Sequence, residues 1–482
     1  MENTEESKSL HVAIALTPGI GHLIPLTEFA KRLVLHHPEF EVTIFIPNDG
    51  SPMKYQKQLL QALPKSISTI FLPPVSFDDL PLDVDAETKI VLSLVRSIPA
   101  LKDSLKVLLE STRLVALVVD LFCIDAVYDV SKELGIKPFI FFPTNAMALQ
   151  LIFHMPKYDQ MFSCESYSDL VEPIELPGCV PFQGRDIPDS VREKKSVTYQ
   201  GMIRLCKCFS LAAGIMVNSF MDLEKGAFKG LMNQNQKQGE FDIPPIYPVG
   251  PLVRTSSSSS THGSNNCLRW LNEQPDGSVV YVSFGSGGTL SSQQMNELAM
   301  GLEMSGQRFI WVVKSPNDKA KNATYFGVDS VDDPIHFLPN GFLERTKGVG
   351  LVVPSWAPQV EILSHGSTGG FITHCGWNST LEAIVHGVPL IAWPLYAEQR
   401  LNAVLLADDL KVAWRVKENE NGLVGRDEIA KFVKGIIEGE EGKPLRDKMR
   451  KLKDAAKMVL SPDGSSTKSL AKVAEIWNNQ GK

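Results

Sequence analysis

The chain has 482 residues, too many for one hydrophobic core, so two domains of roughly 200 residues each are expected. Hydrophobic residues make up 43% and charged residues 21%, which is the balance of an ordinary globular protein and excludes a disordered or collagen-like chain. A net charge of -7 argues against a nucleic-acid or anionic-membrane surface.

The first residues, MENTEESKS, are acidic and polar and lack the basic start and apolar core of a signal peptide. No apolar run approaches the roughly 20 residues that span a bilayer, so no membrane insertion and a cytoplasmic location are expected. The seven cysteines are odd in number and scattered without a CxxC pair, which suggests neither a disulfide framework nor a zinc site. The sequons at Asn322 and Asn378 are then incidental.

An apolar strand is expected at 11–17 (HVAIALT), followed by a helix with Leu26, Phe29, Ala30 and Leu33 on one face. Further strands are expected at 41–47, 114–120 and 137–143. Continuous apolar strands alternating with helices imply a parallel sheet covered on both faces. Residues 246–266, with two prolines and then a serine run, read as a loop or linker. The alternation restarts with strands at 278–286, 308–313, 351–356, 370–373 and 389–394, and a helix near 291–304. Two amphipathic helices close the chain. One has the stripe Leu445, Met449, Leu452, Ala456 and Val459; the other has Leu470, Val473 and Trp477. The fold class is α/β, with two doubly wound domains joined near residue 253 and a cleft between them.

The chemistry concentrates in Trp356–Gln399, where glycines separate Trp, His, Asn, Ser and Glu at strand-to-helix junctions. HCGWNS at 374–379 follows a strand and opens a helix, whose unpaired N–H groups and positive dipole end suit a phosphate. Gly376 allows close approach, and His374, Asn378 and Ser379 add donors. Ser379-x-x-Glu382 alternatively reads as a capping box that only satisfies backbone N–H groups. The surroundings favour a nucleotide sugar: Trp356 offers a flat face to a base, the Gln359 amide can read a base edge, and Glu382 can accept from ribose hydroxyls. Glu398 and Gln399, after the strand at 389–394, stand where sugar hydroxyls can be met.

In the first half, His22 follows the first strand and Asp120 ends the strand at 114–120. The carboxyl ends of parallel strands face the ligand crevice, so both reach one edge. Transfer of a sugar to a hydroxyl needs its proton removed, and even a phenol titrates only at about 10. A neutral imidazole beside a helix N-terminus, oriented by a buried aspartate, is suited to that work. Residues 143–162, rich in Met, Phe and Leu, line an apolar acceptor pocket or form a core helix, and Thr144 at their start can reach a sugar. Asp83-Val84-Asp85 matches a metal-binding DxD, but no strand leads into it; metal independence is expected. Gly19-x-Gly21 and Gly285-x-Gly287 lack the third glycine of a dinucleotide fingerprint, at Ile24 and Leu290, and no Walker A pattern occurs.

WAPQ at 356–359, HCGWNS at 374–379, the following Glu382 and the closing Glu398-Gln399 resemble the donor signature of plant family 1 glycosyltransferases, which use UDP-sugars. The resemblance runs from PGIGHLIP at 18–25 to the last helix, and FLPP at 71–74 and LPGCVP at 176–181 resemble the hydroquinone glucosyltransferase branch. It implies a GT-B fold: two facing Rossmann-like domains, with 1–252 binding acceptor, 253–461 binding the UDP-sugar, and a last helix (about 462–482) crossing back onto the first. It further implies that Trp356, Ala357 and Gln359 hold uracil and that Glu382 holds ribose. Ser286, His374, Asn378 and Ser379 would hold phosphate, and Trp377, Glu398 and Gln399 the sugar. A closing glutamine goes with glucose. Many members have aspartate where this chain has Glu398. His22 and Asp120 match the family's base and its partner. The reaction implied is inverting, cofactor-free transfer of glucose from UDP-glucose to a small aromatic hydroxyl such as hydroquinone, a phenylpropanoid or indoxyl, by a monomer. The rival is a non-catalytic nucleotide-sugar sensor, expected to have lost His22 or the donor carboxylates.

Overall fold

The computed structural model describes residues 9–48, 54–80, 86–233, 242–254, 262–319, 321 and 333–480. Among these residues the chain forms two parallel sheets. The first is built from β1 (Leu10–Ala15), β2 (Phe40–Asn48), β3 (Ile67–Pro74), β4 (Arg113–Asp120), β5 (Pro138–Phe142), β6 (Gly214–Val217) and β7 (Ile246–Pro248), in spatial order β3-β2-β1-β4-β5-β6-β7. The second comprises β8 (Val279–Ser283), β9 (Arg308–Val313), β10 (Gly350–Pro354), β11 (Thr368–Thr373), β12 (Leu390–Ala392) and β13 (Ala413–Arg415), in order β10-β9-β8-β11-β12-β13. Each order reverses once, between β1 and β4 in the first sheet and between β8 and β11 in the second. A doubly wound sheet leaves its ligand crevice at that switch point.

The central strands β1, β8 and β11 are buried along their whole length and β4 from its third residue on, which is why they read as unbroken apolar runs rather than alternating ones. The first helix, Ile20–His36, buries the expected Leu26, Phe29, Ala30 and Leu33. Gly19 caps it at φ 120°, a backbone conformation that side chains resist, so the turn after β1 requires glycine there.

The stretch 246–266 is not a loop throughout. Ile246–Pro248 pairs with β6 as the edge strand of the first sheet, Val249 and Leu252 are buried, and a helix runs over His262–Asn272. An edge strand needs hydrogen bonds on one side only, so it tolerates Pro248, one of the two prolines that suggested a linker. Residues 255–261, the serine run, lie outside the described residues, as do Asp83-Val84-Asp85 and Asn322.

The last helix, Ser465–Gln480, packs on the first sheet although it follows the second in sequence. Trp477 is fully buried there, edge-on to Phe29, Phe40 and Phe139 at centroid distances of 6.4, 6.3 and 5.4 Å. Ser466 Oγ donates to the Gly250 carbonyl, and Arg32 bonds Thr467 and the Leu460 carbonyl. The helix Lys443–Val459 buries Leu445, Met449, Ala456 and Val459, with Leu452 partly buried; Arg450, Lys451 and Lys453 are exposed, while Arg446 is partly buried and donates to the Ile436 carbonyl. Among the described residues no helix is long and apolar enough to cross a membrane, and all seven cysteines are free.

Candidate active site

The residues singled out in the sequence converge on the two switch points. His22 stands in the first turn after β1, and Asp120 ends β4, its neighbour in the sheet. His22 Nδ1 lies 2.7 Å from Asp120 Oδ2. Asp120 is fully buried and its remaining capacity is filled: the backbone N–H of Leu121 donates to Oδ1 at 2.6 Å and that of Thr17 to Oδ2 at 3.3 Å. At that distance the carboxylate favours the proton on Nδ1, although the N–H is not well aligned with Oδ2, and Nε2 is then the basic nitrogen. Phe122 packs against the imidazole at 5.8 Å.

The electrostatics differ from the sequence expectation. Burial lowers the His22 pKa, but the Asp120 charge, its hydrogen bond and the Glu398 carboxylate outweigh burial, and the net shift is upward from 6.5. The helix end is a half-charge at most. A carboxylate in direct contact carries a full one.

Four donor-site strands end on the same crevice. After β8, Ser286 is exposed in a loop whose carbonyls at Gly285 and Ser286 both accept from Lys314 Nζ. Lys314 follows β9 and carried no sequence signal beyond its charge. After β11, His374 is buried between two glycines: a methyl carbon on Gly285 or on Gly376 would lie 2.4 Å from its Nε2. These glycines are needed for close approach to a side chain. Burial and the Lys314 charge hold the His374 pKa down at about 3, so the ring is neutral.

The helix Trp377–His386 has Gly376 as its N-cap with no side-chain cap, which removes the capping-box alternative for Ser379 and Glu382. Both instead meet Gln359, whose Nε2 donates to Ser379 Oγ at 2.9 Å and to Glu382 Oε2 at 2.7 Å. The Gln359 oxygen accepts from Tyr281 at 3.4 Å, so this amide is turned inward and braces two neighbours instead of presenting an edge to a base. Burial raises the Glu382 pKa to about 7, against Gln359's hydrogen bond and the charge of Arg254. Trp356 leaves β10 about half exposed, and Ala357 beside it is buried.

Two signature side chains reach across to the first sheet. Trp377 Nε1 donates to the Asn218 carbonyl at 2.7 Å, and Asn378 Nδ2 to the Gly21 carbonyl, next to His22, at 2.8 Å. Gln399 Oε1 accepts from the backbone of Leu395 and Tyr396, so only its amide nitrogen is left to donate outward. Glu398 is bonded by Asn402 at 3.3 Å. Burial raises its pKa, while its own backbone, Asn402 and the His22 charge pull the other way.

The helix Ala146–Met161 is core for most of its length: from Ala146 to Pro156 only Ile152 is less than buried. Its first turn is satisfied by Asn145 and by Glu224, which accepts from the N–H groups of Ala146 and Met147 at 3.0 Å each. Thr144 Oγ1 is buried with no hydrogen-bond partner among the described residues.

A family model described as UDP-glucoronosyl and UDP-glucosyl transferase matches residues 255–445. The chain is 58% identical to hydroquinone glucosyltransferase from Rauvolfia serpentina, over 98% of each chain. Its fold superposes on a Polygonum tinctorium UDP-glucosyltransferase capable of glucosylating indoxyl, solved with 3,4-dichloroaniline, at TM-score 0.89 and 48% identity, covering 98% of this chain and 99% of that one. It also superposes on Phytolacca americana UGT2, solved with UDP-2fluoro-glucose and pterostilbene, at TM-score 0.87 and 48% identity over 98% and 100% of the two chains. With two switch-point crevices facing each other and relatives matched over nearly their whole length, the chain belongs to the UDP-glucoronosyl and UDP-glucosyl transferase family and is a UDP-glucosyltransferase of the GT-B fold.

Proposed function

We propose that this enzyme transfers glucose from UDP-glucose to the hydroxyl of a small aromatic acceptor, with inversion and without a metal. The observation that carries the reading is the 2.7 Å contact of His22 Nδ1 with buried Asp120, which leaves Nε2 as a base at the switch point. Nε2 takes the proton of the acceptor hydroxyl as its oxygen bonds the anomeric carbon. The bond from that carbon to the diphosphate breaks, and its electron pair leaves with UDP. Asp120 stabilises the imidazolium that forms. The N-terminus of the helix Trp377–His386, with Ser286, Asn378 and Ser379, meets the charge on the departing diphosphate. His374, held neutral, contributes a hydrogen bond rather than a charge.

Trp356 and Ala357 hold the base, Glu382 the ribose, and Glu398 and Gln399 the glucose hydroxyls, with Trp377 contributing its backbone because its indole N–H is taken. Gln359 acts through Ser379 and Glu382. Thr144 offers its unpartnered hydroxyl to the sugar or acceptor. Residues 1–252 and 462–482 form the acceptor half and 253–461 the donor half. The same reading takes the enzyme as a cytoplasmic monomer, and the free cysteines fit a reducing compartment. Hydroquinone, indoxyl and dichloroaniline name or accompany its relatives, and acceptors of that size are supported here.

The deciding experiment follows UDP release with UDP-glucose and a panel of hydroquinone, coniferyl alcohol, a flavonol, indoxyl and chloroaniline, with and without EDTA. Glucosylation of a small phenol, unchanged by EDTA and abolished in His22→Ala with UDP binding kept, is the expected result. Binding of UDP-glucose without turnover on any acceptor would favour a nucleotide-sugar sensor, and EDTA-sensitive activity would overturn metal independence.

A further inference from the structure

Two fully buried asparagines from opposite halves of the molecule meet in the crevice. Asn145 caps the helix Ala146–Met161 of the first half, and Asn402 lies in the helix Gln399–Val404 of the second. Asn145 Nδ2 donates to Asn402 Oδ1 at 2.5 Å. Asn402 Nδ2 in turn donates to the Cys375 carbonyl at 2.9 Å and to Glu398 Oε1 at 3.3 Å. Neither residue belongs to the pattern that pointed to the site.

The polarity of this chain of bonds is not free. Asn145 Oδ1 accepts from the backbone N–H of Ala148 at 2.7 Å, and a backbone N–H can only donate. The other end of Asn145 must therefore be its NH2 group, and Asn402 must present its oxygen to it. Asn402 is left with its NH2 facing two acceptors, a carbonyl and a carboxylate. One helix N-terminus in the acceptor half thus dictates, through two amides, which group points at Glu398 in the donor half. The Cys375 carbonyl belongs to a residue at φ 66°, in the turn that opens the helix Trp377–His386. Such a conformation persists only when its surroundings hold it.

We propose that Asn402, oriented by Asn145, is a positioning residue for the sugar end of the donor. It aims the Glu398 carboxylate and holds the Cys375 turn, so that the acceptor half sets the geometry in which the donor sugar is read. This rests on the assignment of Glu398 to the sugar. Asn402 touches no substrate in this scheme; it acts through Glu398. Thr144, next to Asn145 in sequence, would be carried by the same brace.

Asn145→Asp separates this role from a merely structural one. Aspartate caps a helix as well as asparagine, so the bond from Ala148 survives. Its second oxygen, however, can no longer donate. Asn402 must turn its NH2 towards the new carboxylate and its oxygen towards Glu398 and Cys375, where acceptor meets acceptor. Turnover of UDP-glucose is expected to fall about tenfold, the scale of one lost charge-assisted hydrogen bond. Selectivity for UDP-glucose over UDP-galactose should fall with it, while UDP affinity stays near that of the unmodified enzyme. Asn402→Asp should reproduce the phenotype from the other side, and it decides the matter if Asn145→Asp does not fold. Unchanged turnover and selectivity in the folded variant, or a parallel loss of UDP affinity, would overturn the proposal. Glu398→Ala, measured alongside, isolates the underlying assignment: if it too leaves glucose transfer intact, the sugar-site reading fails; if it alone is impaired, the relay fails by itself.

Discussion

Replacing Asp120 by asparagine removes one charge from a buried pair and changes little else in volume. The bond from Leu121 N–H to Oδ1 can survive, but the NH2 group then faces both Thr17 N–H and His22 Nδ1. Nδ1 must become an acceptor, which moves the imidazole proton to Nε2 and blocks the basic nitrogen. The imidazolium formed on proton transfer also loses its counter-charge. At 2.7 Å between the facing atoms, and about 4 Å between charge centres, that pair is worth about 4 kcal/mol at an effective dielectric constant of about 20. A barrier higher by about 4 kcal/mol corresponds to a turnover lower by about a thousandfold. The pH profile gives a second readout. In the unmodified enzyme Asp120 and Glu398 raise the His22 pKa above 6.5, so the acid limb of turnover lies above that of an ordinary imidazole. Without Asp120, burial is less opposed and the limb moves to lower pH. The stability that the raised pKa reflects is fully present below pH 6.5 and fades as pH rises through the folded-state value, and this dependence should weaken in the variant. Steady-state turnover of a phenol from pH 5 to 9, with UDP affinity as the control, checks all of this. A loss of less than about tenfold, or an acid limb that stays put, would refute the assigned roles.

Three further outcomes follow from the geometry. Gly376→Ala brings a methyl carbon to 2.4 Å from His374 Nε2, and the resulting overpacking of about 1–3 kcal/mol should raise the KM for UDP-glucose roughly tenfold, read by initial rates. Glu382 has its pKa raised to about 7, so affinity for the donor ribose should strengthen as pH rises through that value and the carboxylate ionises; Glu382→Gln should flatten the dependence, measured by UDP titration calorimetry between pH 6 and 8. Trp477→Ala empties a fully buried site among Phe29, Phe40 and Phe139, and should destabilise the fold by about 3–5 kcal/mol in urea unfolding while the folded fraction stays active.

Much of the site was legible because a parallel sheet places chemistry at strand ends. His22, Asp120, Ser286 and His374 each end or follow a largely buried apolar run, Trp356 follows a half-buried one, and such runs are visible in sequence. The strands β3, β6, β7 and β13 were not, because they are very short or half exposed and carry no long apolar run. Gln359 was legible as a polar residue in the right place, but its direction was not. Which way an amide points depends on Tyr281, Ser379 and Glu382, each at least 20 residues away in the chain.

The sequence by itself determined the fold class, the donor signature and the candidate base, since periodicity, glycine spacing and residue type are local properties. Tertiary structure alone decided the charge state and the bracing of the site. The His22 pKa is raised by two carboxylates from distant strands and loops, and the asparagine pair joins residues 257 positions apart. Contacts of that kind leave no period in a chain, because they join strand ends and loops that lie far apart in sequence.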